Sequence, residues 1–506
     1  MPESRRDDAP DAVVIGAGQN GLVAANLLCD AGWDVLLCEA TPEVGGAVRS
    51  AEVTEPGYLS DLFSAFYPLA AASPVLDRLH LEHHGLRWTH APAVLAHVFP
   101  DDRSVLLSRD LERTADSVAQ FAAGDGRAWR ALFAEWQDIE SSVLDTLFAP
   151  LPALRPASRL LRQLGTAGAL RMARRAVLPV RRFGEELFDG AGGPILLAGN
   201  ALHADLPPEG SGSAVYGWLL AMLGQSHGFP VPVGGAGQLT AAMARRFAGL
   251  GGSLRLSSAV ESVRISNGRA LGVQLAGGER ITARRAVIAD VPAPLLYRQL
   301  VGEDRLSPQF VRALADFQWD APNLKLNWAL REAIGWTAAD ARGAGTVHLG
   351  VDLDGLTRYA ADLATRQLPR EPFLLLGQMT TSDASRSPAG TESAWAYTHL
   401  PAGVEFTEEL IARHVRLVED TIEARAPGFK DLILARYVQS PAKLQEQNPS
   451  LVSGAVNGGT AQLHQQLVFR PVLGLGGAST PIDRLYLGSS SAHPGGGVHG
   501  GPGANA

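Results

Sequence analysis

The chain has 506 residues and a formal net charge of −8 at pH 7; 46% of its residues are hydrophobic and 19% charged. That length suits a globular protein of two or more lobes, and the acidic balance argues against a general nucleic-acid binder. The two cysteines, Cys29 and Cys38, form no C-x-x-C pair. A dithiol–disulfide mechanism is therefore excluded, and both read as reduced core residues of a cytoplasmic protein. The first ten residues are polar and charged, with no apolar signal core. No uninterrupted apolar run reaches the roughly 18 residues that mark a membrane-spanning helix. Only three of the 44 basic residues are lysines, Lys325, Lys430 and Lys443, so a lysine inside an apolar strand stands out.

The chain opens on an apolar run, Ala12-Val13-Val14-Ile15, followed by Gly16-Ala17-Gly18-Gln19-Asn20-Gly21. A helical pattern over Leu22 to Ala31 and a second apolar run, Val35-Leu36-Leu37-Cys38, lead to Glu39. Strand, glycine turn, helix, strand and terminal acid make a dinucleotide-binding fingerprint. Gly16 permits the tight turn, Gly18 lets backbone approach a pyrophosphate, and Gly21 lets the helix pack on the strand. The helix N-terminus offers unpaired N–H groups to the phosphates. Glu39, 18 residues after Gly21, is placed to accept from both ribose hydroxyls and to repel a 2′-phosphate. The bland alternative is a glycine turn in some other strand–helix–strand unit.

A second glycine pair, Gly45-Gly46, follows in Glu43-Val44-Gly45-Gly46-Ala47-Val48-Arg49-Ser50. It resembles the pair that touches the FAD pyrophosphate in flavoproteins of the glutathione-reductase and amine-oxidase superfamily. Ala47 stands where that motif often carries an arginine, which leaves the role of Arg49 open.

Further along, Tyr58 to Pro68 is dense in aromatics and is expected to leave the nucleotide core and line an apolar surface. Asp110 to Phe148 reads as helical. Residues 146–184 hold eight arginines and no acid. The basic segment within them, 155–184, is either a surface for an anionic membrane or a solvated face over a packed helix. Gly234-Gly235-Ala236-Gly237 opens a helix to about Leu250. Short β-like runs follow at Ser253–Leu256, Val260–Ile265, Ala270–Leu275, Glu279–Ala283 and Ala286–Ala289, with turns at Asn267-Gly268 and Gly277-Gly278. Pro322 to Leu330 alternates, with Leu324, Leu326, Trp328 and Leu330 on one face and Asn323, Lys325 and Asn327 on the other. Strands are also expected at Thr346–Leu349, Phe373–Met379 and Ser393–Leu400, and a helix from about Phe406 to Ala424.

The sequence closes on Leu485-Tyr486-Leu487-Gly488, then His493-Pro494-Gly495-Gly496-Gly497-Val498 and Gly503-Ala504-Asn505-Ala506. A strand running into so many glycines implies close backbone approach to a ligand. The expected next element is a helix, and a native chain continuing past Ala506 is the expectation. Together with Asn200-Ala201-Leu202-His203-Ala204-Asp205-Leu206-Pro207-Pro208, these clusters resemble the phytoene desaturase-like FAD oxidoreductases over essentially the whole length. That group includes carotenoid desaturases, carotenoid isomerases, desaturase-like ketolases and retinol saturases.

The resemblance implies an α/β fold: a Rossmann-like FAD-binding domain of the glutathione-reductase/amine-oxidase type, with a second α+β substrate domain on an antiparallel sheet. The first is expected over 9–70, 230–295 and 471–506, the second over 71–229 and 296–470. The implied FAD contacts are Gly16, Gly18, Gln19, Asn20 and Gly21 in the first loop, and Glu39 and Ala40 after the second strand. Gly45, Gly46, Ala47 and Val48 follow, with Val260 meeting the adenine through its backbone. The C-terminal contacts are Gly488 and Ser489, then Pro494, Gly495, Gly496, Gly497 and Val498. With no second nucleotide unit apparent, oxygen or a quinone is the expected electron acceptor.

Two residues are candidates for chemistry. Lys325 resembles the strand lysine of amine oxidases that holds a water at flavin N5; the alternative is a lysine snorkelling at a sheet edge. His493 is placed to bond a flavin oxygen or move a proton, the alternative being a loop histidine held by backbone groups. His203, Asp205, Tyr397 and His399 are polar groups in apolar surroundings that can line a substrate pocket. No metal-ligand spacing is present. The reading is desaturation of an apolar polyene, terpenoid or lipid-like substrate by hydride transfer to flavin. The alternatives are a redox-neutral isomerase or ketolase, an amine oxidase disfavoured by the lack of a clear aromatic cage, and a non-enzymatic prenyl- or lipid-binding protein of the GDP-dissociation-inhibitor type.

Overall fold

The computed structural model describes residues 9–506. Five short strands, Leu485–Leu487, Ala286–Ala289, Ala12–Ile15, Val35–Cys38 and Ser253–Arg255, lie side by side in that spatial order, all parallel. Val13, Val14, Leu37, Val287 and Ala289 are wholly buried, as expected of parallel strands covered on both faces. The helix Gln19–Asp30 covers one face beside Gly237–Gly249. A three-stranded antiparallel meander, Val260–Ser266, Arg269–Leu275 and Arg280–Thr282, covers the other. Of the five β-like runs expected after residue 250, the first and last thus join the parallel sheet and only the middle three form the meander. Ala286–Ala289 is a buried apolar run that fits inside that sheet, whereas the largely exposed Ser253–Arg255 extends its edge.

A second sheet has seven strands in the order Ile433–Gln439, Asn323–Leu330, Glu392–His399, Leu374–Gln378, Ala344–Leu349, Ala93–Val98 and Ser104–Leu107. Its pairings are antiparallel except Ala344–Leu349 with Ala93–Val98, which run parallel. The sheet is therefore mixed where an antiparallel one was expected. Strand Asn323–Leu330 sits between two partners and all eight residues are buried. Leu324, Leu326, Trp328 and Leu330 pack under the sheet with Val418, Ile422 and Phe429, near and just beyond the C-terminal end of helix Glu408–Glu423. On the other side, the helices Asp125–Phe148, Gly192–His203 and Ser213–Ser226 build a large core around Trp129, Trp136 and Trp218.

Two stretches expected in the second lobe pack on the first. Val75, Leu76, Leu79, Leu81 and Leu86 join the core under the helix Gln19–Asp30. Leu296, Tyr297, Val301, Leu306 and Leu314 join the core under the meander.

The arginine-rich stretch forms helix Leu154–Val177, interrupted at Gly165, and helix Val180–Leu187. Five of its arginines meet carboxylates from elsewhere in the chain or from the second helix. Arg159 pairs with Asp145, Arg174 and Arg182 with Glu186, Arg175 with Glu135, and Arg181 with Glu209 and Asp354. Arg155, Arg162 and Arg171 have no carboxylate partner among the described residues. Between them Leu154, Leu161, Leu170 and Val177 stand exposed, Leu154 at 72%.

The lobes are joined by a buried charge cluster. Arg386, wholly buried, lies 2.9 Å from Asp61 on one side and 2.9 Å from Asp383 on the other. Its contact with Asp61 is a close charge pair rather than an aligned hydrogen bond. Asp61 also accepts from Ser50 and the Ala236 amide, and Asp383 from the Gly234 amide. The cluster at 234–237 therefore turns its amides to the protein's own groups: Gly234 and Ala236 to carboxylates, Gly235 to the Pro232 carbonyl and Gly237 to the Ser50 hydroxyl. Arg386→Met should lower stability by about 3–5 kcal/mol, because it leaves a buried carboxylate unpaired. Adding Asp61→Asn should restore part of the loss. Denaturant unfolding of the holoprotein measures both, and equal destabilisation by single and double variants would show that Arg386 is held for its shape alone.

Candidate active site

A cavity of about 500 Å³ lies at the carboxyl ends of the parallel strands and runs to the seven-stranded sheet. Gly16, Gly18, Gln19 and Asn20 form its wall where the strand Ala12–Ile15 ends. Glu39 and Ala40 follow the next strand, and Gly46, Ala47 and Val48 the next turn. Val260 and Ala259 close one side from the start of the meander.

The glycines have separate physical reasons. A Cβ on Gly21 would stand 2.0 Å from the carbonyl oxygen of Gly16, so only glycine lets this helix approach the strand. A Cβ on Gly18 would stand 2.6 Å from the carboxylate of Asp290, and one on Gly46 3.1 Å from Gly18 itself. The helix Gln19–Asp30 has no side-chain cap, so the N–H groups of its first turn have no intrahelical acceptor and face the cavity. Gly21 is the exception, since its amide donates to Asp290 at 2.8 Å.

Glu39 is buried and already engaged: Ala17 N–H donates to it at 2.7 Å, and the Thr41 amide and hydroxyl at 2.9 and 2.8 Å. A carboxylate has about four acceptor sites, so room remains for a ribose hydroxyl. Arg49 lines the cavity but donates to Gly46 O, Glu43 and Gln447 O. Its guanidinium is thus largely spent on holding the loop.

Asp290 escaped the sequence reading. It ends the strand Ala286–Ala289, and an acid at the carboxyl end of a parallel strand was the available signal. Burial pushes its carboxyl up to about 7, with the Gly21 amide opposing and Glu39 adding to the rise.

At the C-terminus, Ser489, Gly497 and Val498 line the cavity. The Gln19 amide straps this loop to the first one, donating to Gly497 O at 3.3 Å and accepting from Gly500 N–H at 2.9 Å. Gly45, Gly488, Pro494, Gly495 and Gly496 do not reach the wall. A Cβ on Gly45 would meet Val48 O at 2.6 Å, and one on Gly496 would meet Asn457 O at 2.8 Å. Gly495 lies beside Arg470, which is wholly buried and donates to the carbonyls of Thr460 and Ser490. Gly488 packs on Ile288, and Pro494 packs against Gly501. Close packing between protein segments thus explains Gly45, Gly488, Pro494 and Gly496, while the φ of 111° at Gly495 requires glycine there. The helix expected to follow the last residue instead forms within the sequence, as Gly501–Asn505, and a Cβ on Gly503 would strike Asn20 O.

His493 is off the wall. It is buried, and its ring turns to the backbone of Ala149 and Leu147, with burial lowering its affinity for a proton. This placement corrects its assignment as a group touching cofactor or substrate.

Lys325 does face the cavity, from a central strand and not a sheet edge. Its ammonium donates to Asp61 O at 2.5 Å and Phe63 O at 2.8 Å, and lies 5.0 Å from the Trp395 ring centre. One of three donors remains unspent. Burial pulls its pKa down to about 7, with Asp61 opposing. Phe63 and Phe66, from the aromatic segment Tyr58–Pro68, line the same space with Trp395, Tyr397 and His203. Asp205 and His399 lie behind this wall, paired at 2.8 Å.

The family model for flavin containing amine oxidoreductase matches residues 21–390. The chain belongs to this family. Pyridine nucleotide-disulfide oxidoreductase domain-containing protein 2 of Mus musculus is 29% identical over 540 residues, covering 98% of this chain and 92% of that one. Hydroxyneurosporene desaturase of Cereibacter sphaeroides is 27% identical, covering 97% and 95%. An oxidoreductase from Methanosarcina mazei shares the fold, with a TM-score of 0.64 at 15% identity and 97% coverage of each chain. The chain is thus a phytoene desaturase-like flavoprotein and a FAD-dependent oxidoreductase. The cavity suits the cofactor: an uncapped twelve-residue helix start for phosphates, a glycine-lined backbone, and Glu39 one strand away for the ribose.

Lys325 gives a signed pH test. Between about 7 and the ordinary lysine value, the unfolded chain binds a proton that the folded chain does not. Wild-type stability should therefore rise with pH across that window, by at most about 1.4 kcal/mol per pH unit. Lys325→Met should lack this slope while keeping FAD. Unfolding at pH 7, 8 and 9 measures it, and parallel profiles for the two proteins would place an ordinary, unshifted lysine at this position.

Proposed function

We propose that this flavoprotein desaturates an apolar, polyene- or terpenoid-like substrate. In that reaction a hydride would leave one carbon for bound FAD and a proton would leave the neighbouring carbon for solvent, forming a C=C bond, and oxygen or a quinone would take up the two electrons. The observation that carries this reading is the aromatic wall of Phe63, Phe66, Trp395 and Tyr397, continuous with the nucleotide-lining residues in one cavity. Such a wall binds extended apolar molecules through area and leaves few polar groups to desolvate. Sequence relatives named as desaturases of neurosporene- and phytoene-type substrates support the same class.

FAD supplies the hydride acceptor when bound. Gly16, Gly18, Gln19 and Asn20 of the first loop, with Gly46 to Val48, Glu39, Ala40, Val260, Ser489, Gly497 and Val498, would hold it. The chain's own part is to exclude water, hold the substrate against the aromatic wall, and present Lys325. Its unspent N–H can hold a water at the cofactor and help reduced flavin react with oxygen. Lys325→Met should then slow reoxidation about tenfold or more, roughly 1.4 kcal/mol.

Amine oxidation is the weaker reading, because the face of Trp395 is already taken by the Lys325 ammonium. A substrate amine would have to compete with a resident cation. Isomerase and ketolase chemistry would use the same wall. Anaerobic mixing with matched polyenes, terpenoids and amines decides among these. Flavin bleaching by polyenes or terpenoids with a new double bond in the product is expected; bleaching by amines alone would overturn the reading.

We also propose that the helix Leu154–Val177 rests on an anionic membrane surface, from which an apolar substrate is drawn. Exposed Leu154, Leu161 and Leu170 beside the unpaired Arg155, Arg162 and Arg171 support it. Co-sedimentation with vesicles should need anionic lipid, weaken with salt, and fail for the triple Arg155→Glu, Arg162→Glu, Arg171→Glu variant. Equal sedimentation with neutral vesicles would reject it.

A further inference from the structure

One part of the cavity wall is polar without being spent. His203 ends the helix Gly192–His203, and Tyr397 lies on the central strand Glu392–His399. Both line the cavity, with ring centres 6.1 Å apart and planes at 72°. His203 is enclosed by protein yet open to solvent-sized space, which means that its ring faces the cavity interior. Among the described residues, neither its ring nitrogens nor the Tyr397 hydroxyl pairs with a protein group. Both groups are accessible from the cavity, so their donor and acceptor sites are open to a polar atom of a molecule that enters it.

The groups behind them fix the geometry. Asp205 stands two residues after His203 in a left-handed conformation, φ 62°. That turn carries its carboxylate back to His399 at 2.8 Å and to the Asn457 amide at 3.3 Å. Asp320 is spent on the amides of Val456, Asn457 and Gly459. The His399 backbone is held by Tyr359, whose hydroxyl accepts from His399 N–H at 2.7 Å. Asp205, His399 and Tyr359 are thus positioning residues.

The charge state of the pair is set by its surroundings. Burial, helped by His399, pulls His203 down to about 4, so its imidazole is neutral with one donor and one acceptor. Burial, with Asp205 adding, pushes the Tyr397 hydroxyl well up, so it keeps its proton. Two neutral groups, each able to give and accept, match a neutral oxygen. A carboxylate would meet the field of Asp205 and Asp320, and an ammonium would find both of those carboxylates already engaged.

We propose that His203 and Tyr397 form a hydrogen-bonding site for a hydroxyl or carbonyl oxygen on an otherwise apolar substrate. The inference rests on the reading of the cavity as a site for apolar molecules, and it narrows the substrate class to oxygenated terpenoids or polyenes.

The test uses the FAD-loaded protein and four C20 terpenoids on one carbon skeleton: the hydrocarbon, its alcohol, its carboxylic acid and its amine. Equilibrium binding is read from the flavin absorption change and from tryptophan quenching, independently of turnover. The alcohol is expected to bind at least about tenfold tighter than the hydrocarbon. Tyr397→Phe and His203→Leu should each lower the ratio of alcohol to hydrocarbon affinity by at least about fivefold. His203→Gln, which keeps a donor and an acceptor, should retain it. Equal binding of alcohol and hydrocarbon by the wild type, or tightest binding of the acid or the amine, would overturn the inference. So would variants that weaken hydrocarbon and alcohol alike. Anaerobic bleaching by the same compounds reports separately on desaturation, so a protein that prefers the alcohol but bleaches with none refutes the function and leaves the binding site standing.

Discussion

The buried cluster of Arg386 between Asp61 and Asp383 governs where everything else can sit. Asp61 belongs to the segment that leaves the nucleotide lobe, while Arg386 and Asp383 follow the strand Leu374–Gln378 of the other lobe. Through Ala236 and Gly234 the same carboxylates hold the start of the helix Gly237–Gly249, which packs under the parallel sheet. Two carboxylates and one guanidinium, all but dry, tolerate little displacement, because any gap leaves a charge without a partner in low dielectric. Lys325 adds to the same junction by donating to the carbonyls of Asp61 and Phe63. The aromatic segment is thereby pinned across the cavity, with Phe63 and Phe66 facing inward.

The parts of the fold readable from sequence were those with a local physical signature. The glycine loop, the helix after it and the strand ending at Glu39 form one unit whose spacing is fixed by backbone geometry. The alternation of Asn323 to Leu330 gave the right two faces, because the apolar side packs under the sheet and the polar side meets the cavity. What could not be read depends on long-range pairing. Ser253–Arg255 carries a single apolar residue, Leu254, and only its neighbour Val35–Cys38 makes it a parallel strand. The strands Ala93–Val98 and Ile433–Gln439 gave no strong local pattern and exist as partners of sheet edges.

The candidate site shows the same division. Glycine explains itself only by what it touches, and a sequence does not say whether that is a ligand or a protein atom. Gly18 and Gly46 face the cavity, whereas Gly45 and Gly496 are crowded by Val48 and Asn457 and Gly495 is set by its φ of 111°. A histidine beside such a run, His493, inherits the ambiguity and turns out to face backbone. The acid-free arginine stretch is ambiguous in a similar way: most of its partners, such as Glu135 and Asp354, come from distant sequence.

Across the cavity, charge and function are kept apart. Buried charge is held within the frame: Arg386 by Asp61 and Asp383, and Arg470 by the carbonyls of Thr460 and Ser490. Three titratable groups on the cavity wall are instead driven toward their neutral forms by the same low dielectric. Asp290 is raised to about 7, Lys325 lowered to about 7, and His203 lowered to about 4. A chamber lined in this way imposes little electrostatic cost on an apolar guest and keeps its strongest field for the cofactor end, where the helix Gln19–Asp30 points. It also explains why so few residues on the wall carry a net charge in a chain that holds 96 formally charged side chains. The frame uses charge for precision of placement, and the cavity keeps neutrality so that shape and a few hydrogen bonds select what enters.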